Sequence, residues 1–316
     1  MKVIEHLQKA RNPLISYEVI PPKRGGDINL LFSVVQEVIK YNPPFIDVTS
    51  HAAEIEYIET KNGIKKKIKR KRPGTIGISV AIKNNFHIDT VPHILCHGFT
   101  REETEDALIE LNYLGIENVL AIRGDDTGYE KPIPDHKTQN TYAYELVQQI
   151  VNMNKGQYLE EELLDAAPTD FCIGVAGYPE KHFESPNMST EVKRVIQKVN
   201  SGAHYVVTQL FYDNKKYFDF VERCKKAGVN VPIIPGLKVL THKAHLTNIP
   251  KNFYVNIPEE LANEVLESKT EHVTEIGARW SAKQVEELLN KNVPGIHFYI
   301  MQSAKPIHKM FEFLKM

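Results

Sequence analysis

The sequence predicts an α/β fold in which eight parallel strands alternate with helices, and two observations support this prediction. Short apolar runs rich in β-branched residues recur along the 316 residues, and most are continuous rather than alternating, as in strands buried on both faces. Segments with helical start and stop signals lie between these runs. A closed (β/α)8 TIM-type barrel is the economical arrangement, although a doubly wound sheet explains the alternation nearly as well.

The candidate strands follow one another from the N-terminus. They are Leu14–Val19, Phe45–Thr49, Val91–Cys96, Val119–Arg123, Phe171–Ala176, Tyr205–Phe211, Val231–Pro235 and Ile296–Met301. The helices between them have recognisable boundaries. Thr100 and Glu103 form a capping box ahead of the predicted helix Thr104–Leu114, which a glycine ends. Glycines also follow the predicted helices Ser189–Asn200 and Lys215–Lys226 within two residues.

Composition excludes several classes of protein. Hydrophobic residues make up 42% of the chain, and the formal net charge of −1 gives no global attraction to nucleic acid or anionic membrane. The N-terminus lacks the apolar core of a signal peptide, and no stretch approaches the roughly 18 apolar residues of a membrane span. Cys96, Cys172 and Cys224 are far apart and form no disulfide framework. We therefore expect a cytoplasmic protein with a single catalytic barrel domain over residues 1–316.

One segment, residues 54–72, departs from the strand–helix alternation. Asn62-Gly63 is a strong hairpin signal. Folding about it opposes charges of different sign, namely Glu59 with Lys66, Glu56 with Lys69 and Glu54 with Lys71. The basic run therefore fits a charge-paired hairpin better than a nucleic-acid patch. Because this hairpin follows the second strand, we expect it to rise beside the barrel mouth, where it shields the active site or forms a subunit contact.

Polar motifs stand at the predicted C-terminal ends of the strands, where barrel enzymes carry their active sites. Five of them are SYEVIPP from Ser16, IRGD from Ile122, YPEKH from Tyr178, TQLFYD from Thr208 and IIPG from Ile233. In this order, and across nearly the whole chain, the motifs resemble those of the methylenetetrahydrofolate reductase family. The resemblance is to a bacterial form with the catalytic domain alone, since nothing follows the barrel, and it favours the closed barrel.

The resemblance implies reduction of 5,10-methylenetetrahydrofolate to 5-methyltetrahydrofolate by a ping-pong mechanism. NADH or NADPH first reduces a bound flavin, which then passes a hydride from its N5 to the methylene carbon of the folate. Opening the methylene bridge needs a proton on the departing nitrogen, and therefore a positioned carboxylic acid. Glu18 matches the family's proton donor. An apolar barrel mouth would raise the pKa of this carboxyl, as suits an acid.

The resemblance also implies the folate and flavin contacts. Asp125 matches the family's aspartate near flavin and pterin, where a carboxylate can bind the pterin and tune flavin reduction. Gln209 matches a glutamine that contacts folate and nicotinamide in turn. Phe211 is a candidate for a flat apolar surface beside it, with ordinary packing in the barrel as the alternative. FAD, rather than FMN, is the implied flavin. The residues that match its site are Thr49, Ala52, His93, Arg123, Gly124, Asp125, Ala143, Tyr178, His182, Glu191, Arg194 and Lys198.

Two departures from the family pattern concern charge. Gln197 stands where the family often carries charge, and we expect Arg194 to supply it. The last strand ends at Ser303, where the family has an arginine that contacts folate, and Lys305 is the nearest cation but lacks the bidentate fork. A metal site at His93 and its neighbours is not expected, because on a strand the nearby Cys96 faces the other side.

Two other functions remain open. One is a non-catalytic folate- or flavin-binding subunit on the same barrel, against which the retention of Glu18, Asp125 and Gln209 argues. The other is a Schiff-base lyase, which needs a buried lysine at a strand end; Lys238 is the candidate. The sequence does not decide whether NADH or NADPH is the electron donor. It also does not decide whether the reaction serves methionine supply or a carbon-fixation pathway. The resemblance favours a homo-oligomer.

Overall fold

The computed structural model describes residues 1–61, 63–124 and 131–314. Its strands are β1 Leu14–Val19, β2 Phe45–Val48, β3 Glu54–Thr60, β4 Gly63–Lys69, β5 Asp89–Leu95, β6 Asn118–Ile122, β7 Cys172–Gly177, β8 Tyr205–Leu210, β9 Ile233–Leu237 and β10 Gly295–Met301. Eight of them close into one barrel in the order β1-β10-β9-β8-β7-β6-β5-β2. All eight neighbouring pairs of strands in the barrel are parallel. The predicted (β/α)8 barrel is thus confirmed, and the doubly wound sheet is excluded.

Helices connect the strands as the sequence predicts. They are α1 Val3–Lys9, α2 Ile28–Ile39, α3 Ile76–Phe86, α4 Arg101–Tyr113, α5 Ala143–Met153, α6 Met188–Asn200, α7 Asn214–Lys226, α8 His245–Phe253, α9 Glu259–Glu267, α10 Val273–Asn290 and α11 Lys305–Leu314. The capping box at α4 is present, since Glu103 N donates to Thr100 Oγ1 at 3.2 Å and Thr100 N donates to the Glu103 carboxylate at 2.9 Å. Within the ranges described, no helix is both long and apolar enough to cross a membrane.

Side chains alternate between the inside of the barrel and the layer beneath the helices. Ile46 and Val48 of β2 belong to the core between strands and helices, whereas Phe45 packs with Val91 of β5 inside the barrel. Because successive strand residues face opposite sides, the residues two positions beyond Phe45 and Val91 also face inward. Those residues are Asp47 and His93. Because Phe45 and Val91 face the inside of the barrel, these two polar side chains face it as well.

The N-terminal helix closes the bottom of the barrel. Val3 of α1 packs against the interior cluster that contains Phe45, Val91 and Leu120. Its backbone N–H donates to Asn118 Oδ1 at 2.7 Å, so the first turn of the helix is tied to the start of β6. Burial of this apolar layer leaves the polar interior residues access to solvent only through the C-terminal mouth.

Residues 54–69 form the predicted hairpin outside the barrel, with β3 antiparallel to β4. The predicted register is wrong by two residues, since Thr60 pairs with Gly63 and Glu56 lies opposite Lys67. Two predicted ion pairs nevertheless form, with Lys69 Nζ 3.0 Å from Glu56 and Lys71 Nζ 2.6 Å from Glu54. Residues at j and j+2 share a face of the hairpin, so a two-residue slip keeps these charges within diagonal reach.

The remaining expectations about organisation are not decided by these features. The hairpin is continuous with the chain between β2 and α3, but its role at the mouth or in a subunit contact stays a prediction. The single-domain organisation over residues 1–316 also stays a prediction.

Candidate active site

Four charged or titratable side chains face one another inside the mouth of the barrel. Glu18 Oε2 lies 3.4 Å from His93 Nε2 and 3.6 Å from His297 Nε2. Asp47 approaches the same two imidazoles, with Oδ2 3.6 Å from His93 Nε2 and Oδ1 4.0 Å from His297 Nδ1. We call Glu18, Asp47, His93 and His297 the interior tetrad. None of their side chains is more than 8% exposed.

The backbone at Glu18 is irregular, which fits a strand end that aims a functional side chain. The pairing of β1 with β10 shifts between Glu18 and Val19, because Glu18 pairs with Tyr299 and Val19 with Met301. Met301 has a φ of +58°, in the left-handed region. Bulges of this kind occur next to active sites, where they redirect a side chain. The first strand therefore presents Glu18 at the rim of the mouth, as the motif SYEVIPP predicts.

The expected rise of the Glu18 pKa is wrong. Burial raises the pKa of this carboxyl, but the charge of His93, the nearby imidazole of His297 and the Lys238 ammonium together outweigh burial and bring the pKa below its ordinary value. The mouth is not the apolar pocket that the sequence suggested. Burial lowers the pKa of His93, but Glu18 and Asp47 outweigh it, so the net pKa of His93 is raised. Without substrate, the pair favours a glutamate and an imidazolium.

A layer of hydrogen bonds surrounds the tetrad. Lys238 Nζ donates to the Tyr299 carbonyl at 3.2 Å, and the Tyr299 hydroxyl donates to the Thr208 carbonyl at 2.6 Å. Gly236 N donates to Thr208 Oγ1 at 2.9 Å. A Cβ at Gly236 would lie 2.1 Å from the Thr208 carbonyl oxygen and 2.7 Å from the Tyr299 ring, so close packing of β8, β9 and β10 explains the glycine of IIPG.

The two residues expected to contact folate lie in different surroundings. Gln209 is half-buried at a shift in the β8–β9 register, and its Oε1 accepts a hydrogen bond from Leu210 N at 2.8 Å. Phe211 is fully buried and stacks on Tyr217 at a centroid distance of 5.6 Å in the core beneath the helices. The structure therefore brings Gln209, but not Phe211, to the mouth.

A cleft of about 300 Å³ opens at the C-terminal ends of β6 and β7. We call it the cationic cleft, and its lining is Ala121, Ile122, Arg123, Tyr142, Ala143, Tyr144, Ala176, Tyr178, His182, Glu184, Glu191, Arg194, Gln197 and Lys198. Most of the residues expected to bind flavin are in this lining. Tyr178, from this lining, also contributes to the raised pKa of Tyr299 on β10, after burial and the charges of Glu18 and Asp47.

Other residues expected to bind flavin lie outside the cationic cleft. Thr49 and Ala52 follow β2, His93 belongs to the interior tetrad, and none of the three lines the cleft. Gly124 follows β6 and has a φ of +89°, which explains the glycine of the IRGD motif by backbone conformation. Asp125, expected at both flavin and folate, lies outside the described residues.

One carboxylate pairs with the cations at the open side of the cleft. Glu184 accepts a hydrogen bond from the Arg123 guanidinium, and Arg194 Nη1 lies 3.9 Å from the same carboxylate. His182 Nδ1 is 3.7 Å from it. The hydrogen bond to Arg123 lowers the pKa of Glu184 and raises the pKa of Arg123. Arg123 also lies over the Tyr142 ring, 5.6 Å from its centroid.

Lys198 and Glu191 form the inner wall of the cleft. Lys198 is buried on α6 and Nζ donates to the Ala176 carbonyl, so it is not the solvated lysine expected of a lone helix position. Burial lowers its pKa. Glu191 accepts from Ser185 Oγ at 2.7 Å and from His182 N at 3.1 Å. Glu191 therefore holds the turn that carries His182, and its contact with the cofactor stays a prediction.

The residues of the cleft fit a planar cofactor that carries phosphate. Arg123, Arg194 and Lys198 are positively charged groups of the kind that binds phosphate oxygens, and only a partly exposed carboxylate neutralises the first two. Tyr178 and His182 contribute rings that pack edge to face at 4.8 Å. Among the described residues, no group of three or more histidine, cysteine, aspartate or glutamate side chains is placed to hold a metal ion.

Sequence reasoning missed two members of the tetrad. Asp47 lies within the apolar run FIDV, and His297 lies within GIHFYI. A carboxylate in a strand that is buried on both faces was the available signal for Asp47, because such a residue needs a partner. His297 lies two residues before Tyr299, the residue of β10 that pairs with Glu18. Alternate residues of a strand face the same side, so this spacing places His297 on the same face of β10 as Tyr299.

Comparison with known proteins agrees with this geometry. The family model described as methylenetetrahydrofolate reductase matches residues 2–315. Methylenetetrahydrofolate reductase 1 of Schizosaccharomyces pombe is 28% identical over 301 residues, which are 94% of this chain and 45% of that protein. The 5,10-methylenetetrahydrofolate reductase of Salmonella typhimurium is 27% identical over 294 residues, which are 92% and 87% of the two chains. The chain spans about half the length of the fungal and plant relatives it matches.

Solved structures share the fold at low sequence identity. A protein from Clostridium thermocellum that binds two copies of 5-methyl-5,6,7,8-tetrahydrofolic acid has a TM-score of 0.56 and 16% identity, with 99% and 98% of the two chains covered. Oxaloacetate acetylhydrolase has a TM-score of 0.53 and 9% identity, with 96% of this chain and 81% of that chain covered. These likenesses support the barrel alone. The match of the family model over almost every residue shows that the chain belongs to the methylenetetrahydrofolate reductase family.

Proposed function

We propose that this protein reduces 5,10-methylenetetrahydrofolate to 5-methyltetrahydrofolate, with a bound flavin as hydride carrier and NADH or NADPH as electron donor. The observation that carries the proposal is the position of Glu18. Its carboxylate lies at the rim of the barrel mouth between two imidazoles, and the cationic cleft opens at the same end of the barrel, where β6 and β7 end. Family membership supports the same reaction.

The protein's own residues would divide the work between the cleft and the mouth. Arg123, Arg194 and Lys198 would hold the phosphates of the cofactor, which when bound supplies the hydride chemistry. Glu18 would deliver a proton to the folate nitrogen as the methylene carbon–nitrogen bond breaks, and the electron pair of that bond would stay on the nitrogen. Gln209 would contact the ligand that occupies the mouth, and Asp125 stays a prediction for the pterin.

The low pKa of Glu18 does not oppose this role. Lys238 and the imidazoles that lower it are themselves buried, and the folate will displace water from the mouth and change that balance. An acid that is ionised in the free enzyme needs a neighbour that returns the proton to it, and His93 is 3.4 Å away.

The test is a pair of half-reactions followed by the colour of the flavin. Purified protein is expected to be yellow, to bleach on addition of NADH or NADPH, and to regain colour with methylenetetrahydrofolate. Glu18→Gln should still bleach but should recover its colour at least 100-fold more slowly, since general acids contribute about 10²–10⁴-fold. A colourless wild-type protein that binds no added flavin would refute the proposal.

Two other outcomes have a defined meaning. A yellow wild-type protein that bleaches but is never reoxidised by folate would favour the non-catalytic binding subunit. A Schiff base formed at Lys238 would favour a lyase; in the structure its ammonium is hydrogen-bonded to the Tyr299 carbonyl and stabilises the charge of Glu18. FAD rather than FMN, a homo-oligomer and a cytoplasmic location stay predictions from the sequence.

A further inference from the structure

The polar contacts within the interior tetrad are unusual for buried groups. Both oxygens of Asp47, Nε2 of His93 and Nε2 of His297 are buried and make no hydrogen bond within the described ranges. The gaps between tetrad members are 3.4–4.0 Å, longer than the 2.7–3.2 Å of an ordinary hydrogen bond. Leaving buried polar groups unpaired is costly, and such groups cluster at functional sites.

The tetrad forms a closed circuit of alternating acids and bases. Each carboxylate faces both imidazoles, and each imidazole faces both carboxylates. A proton on either histidine can therefore be shared with either acid after a contraction of about 0.2 Å for the shortest gap and about 0.8 Å for the longest. Catalytic hydrogen bonds are often long without substrate and shorten when it binds. Ser16 fixes one corner, since its hydroxyl is 2.9 Å from His297 Nδ1.

Charge balance indicates how many protons the circuit holds. Glu18 and Asp47 bring two negative charges, and Lys238, the residue after β9, brings one positive charge that acts on Glu18. One proton on the imidazoles makes this buried group neutral, which is the favoured state where charge is poorly solvated. Tyr205 on β8 and Tyr299 on β10 face the group as neutral phenols, because burial raises the pKa of both well above the ordinary value.

The exposed fractions of the four side chains indicate which member of the tetrad meets the ligand first. Glu18 is 8% exposed, His93 5%, and His297 and Asp47 1% each. The proton-accepting ligand must reach the tetrad from the mouth, and Glu18 is the member nearest to it. Asp47 is as deeply buried as His297 and faces both imidazoles, so we expect it to act on the ligand through them.

We propose that the interior tetrad stores one proton on its imidazoles for Glu18 to deliver, and that Asp47 is a positioning residue that keeps the proton there. This inference rests on the proposed function and deepens it. When the folate occupies the mouth, His93 Nε2 passes the stored proton to the Glu18 carboxylate, and Glu18 passes that same proton to the departing folate nitrogen. One proton leaves per turnover, and one returns from solvent through Glu18 after the product dissociates.

The test is the pH profile of the folate half-reaction in Asp47→Asn. An opposite charge at this distance moves a pKa by about 1–3 units, so loss of Asp47 should let the imidazoles lose their proton at lower pH. The alkaline decline of the rate should then begin about 1–3 pH units lower than in wild type, and the rate of the variant should approach the wild-type rate as the pH falls. A merely structural role would lower the rate by the same factor at every pH, and that result would overturn the proposal.

Two controls separate the tetrad from general damage. Bleaching by NADH draws no proton from Glu18 and should keep the wild-type pH profile in Asp47→Asn. Thr90→Val removes a buried hydrogen bond, from Thr90 Oγ1 to the Ser79 carbonyl at 3.3 Å, on the strand that carries His93. This variant touches no atom of the tetrad and should leave both profiles in place.

A second measurement needs no activity and no variant of Asp47. Imidazole nitrogens of ¹⁵N-histidine-labelled wild-type protein can be titrated by NMR, with His93 and His297 assigned by their loss in His93→Asn and His297→Asn. At least one of the two should remain protonated above pH 6.5, the ordinary imidazole pKa. If both lose their protons at or below that value, the tetrad stores nothing, whether or not the protein reduces folate. Conversely, a protein that fails the colour test but shows a retained proton would refute the proposed function alone.

Discussion

Arg194 provides the sharpest test of the cationic cleft. Its guanidinium lines the cleft on α6, one turn before Lys198, and the neutral Gln197 lies between them. Removal of a charge-assisted hydrogen bond costs about 1.5–3 kcal/mol. The net loss of binding free energy is smaller than this, because Arg194 must give up its ion pair with Glu184, 3.9 Å away, when a phosphate binds. A partly exposed ion pair of this kind is worth about 0.2–1 kcal/mol.

The difference gives a net loss of about 1–2 kcal/mol for Arg194→Ala, or a flavin Kd about 5–30-fold higher, since 1.4 kcal/mol is a factor of ten. The assay is titration of the flavin-free protein with FAD, followed by flavin fluorescence at 50 mM and 500 mM salt. The difference between variant and wild type should shrink at the higher salt, because screening weakens partly exposed charges.

Gln197→Ala is the matched control for this prediction. It removes a side chain of the same cleft and the same helix but no charge, and the Kd should change by less than about threefold, as is usual for such surface changes. Equal affinity of Arg194→Ala and wild type at low salt would refute the reasoning. It would also remove the idea that Arg194 supplies the charge that Gln197 lacks.

Four further predictions follow from the contacts. Glu184→Gln frees the arginines of the cleft and should lower the flavin Kd by up to about fivefold in the same titration, the worth of an exposed ion pair; weaker binding would mean that Glu184 positions them instead. Gly236→Ala should cost at least about 1–3 kcal/mol through overpacking, measured by urea unfolding, because its Cβ would lie 2.1 Å from a carbonyl oxygen; an unchanged midpoint would contradict this. Replacement of residues 54–72 by a short Gly-Ser loop should alter assembly in light scattering or the half-reaction kinetics, and normal values for both would exclude a role at the mouth or in a subunit contact. Stability should fall on the alkaline side, since the raised pKa of His93 contributes stability that is complete below about pH 6.5 and lost as pH rises through its folded value; Tm against pH should show this decline, with a smaller one in Glu18→Gln.

On the acid side, stability should fall as the pH decreases. The pKa of Glu18 is lower in the folded protein than in the unfolded chain, so its contribution is complete above about pH 4.3 and is lost as pH falls through the folded pKa. The two groups together predict that the contribution of the pair to stability is greatest between about pH 4.3 and 6.5.

The strands and helices could be predicted closely because their signals are local. Each candidate strand lies within two residues of an observed one at its start, and the capping box at Thr100 begins α4 at Arg101. The predicted start at Thr104 was late because the box itself belongs to the first turn. The hairpin register was less secure, because lysines stand at positions 67, 69 and 71. A two-residue slip therefore keeps Glu54 and Glu56 opposite lysines, although it places Glu59 opposite Ile64.

The candidate site was predicted unevenly, and the unevenness has a physical cause. Motif residues at strand ends, such as Arg123, Tyr178 and His182, are near one another because adjacent parallel strands end at the same rim. The pKa of Glu18 could not be predicted this way. This pKa depends on which charged groups face Glu18 across the barrel. Those groups lie on other strands, and the sequence did not decide the order of the strands in the sheet.

Closure of the barrel brings these groups together. β1 pairs with β10 on one side and with β2 on the other, so Ser16 meets His297 across 281 positions of sequence while Glu18 pairs with Asp47 in the backbone register. In a doubly wound sheet the first and last strands need not be neighbours, and the same residues would not form a circuit. The tetrad therefore follows from the closed topology and not from any motif. A carboxylate in a strand buried on both faces, as at Asp47, indicates in such a fold that its partner lies on a neighbouring strand around the circle.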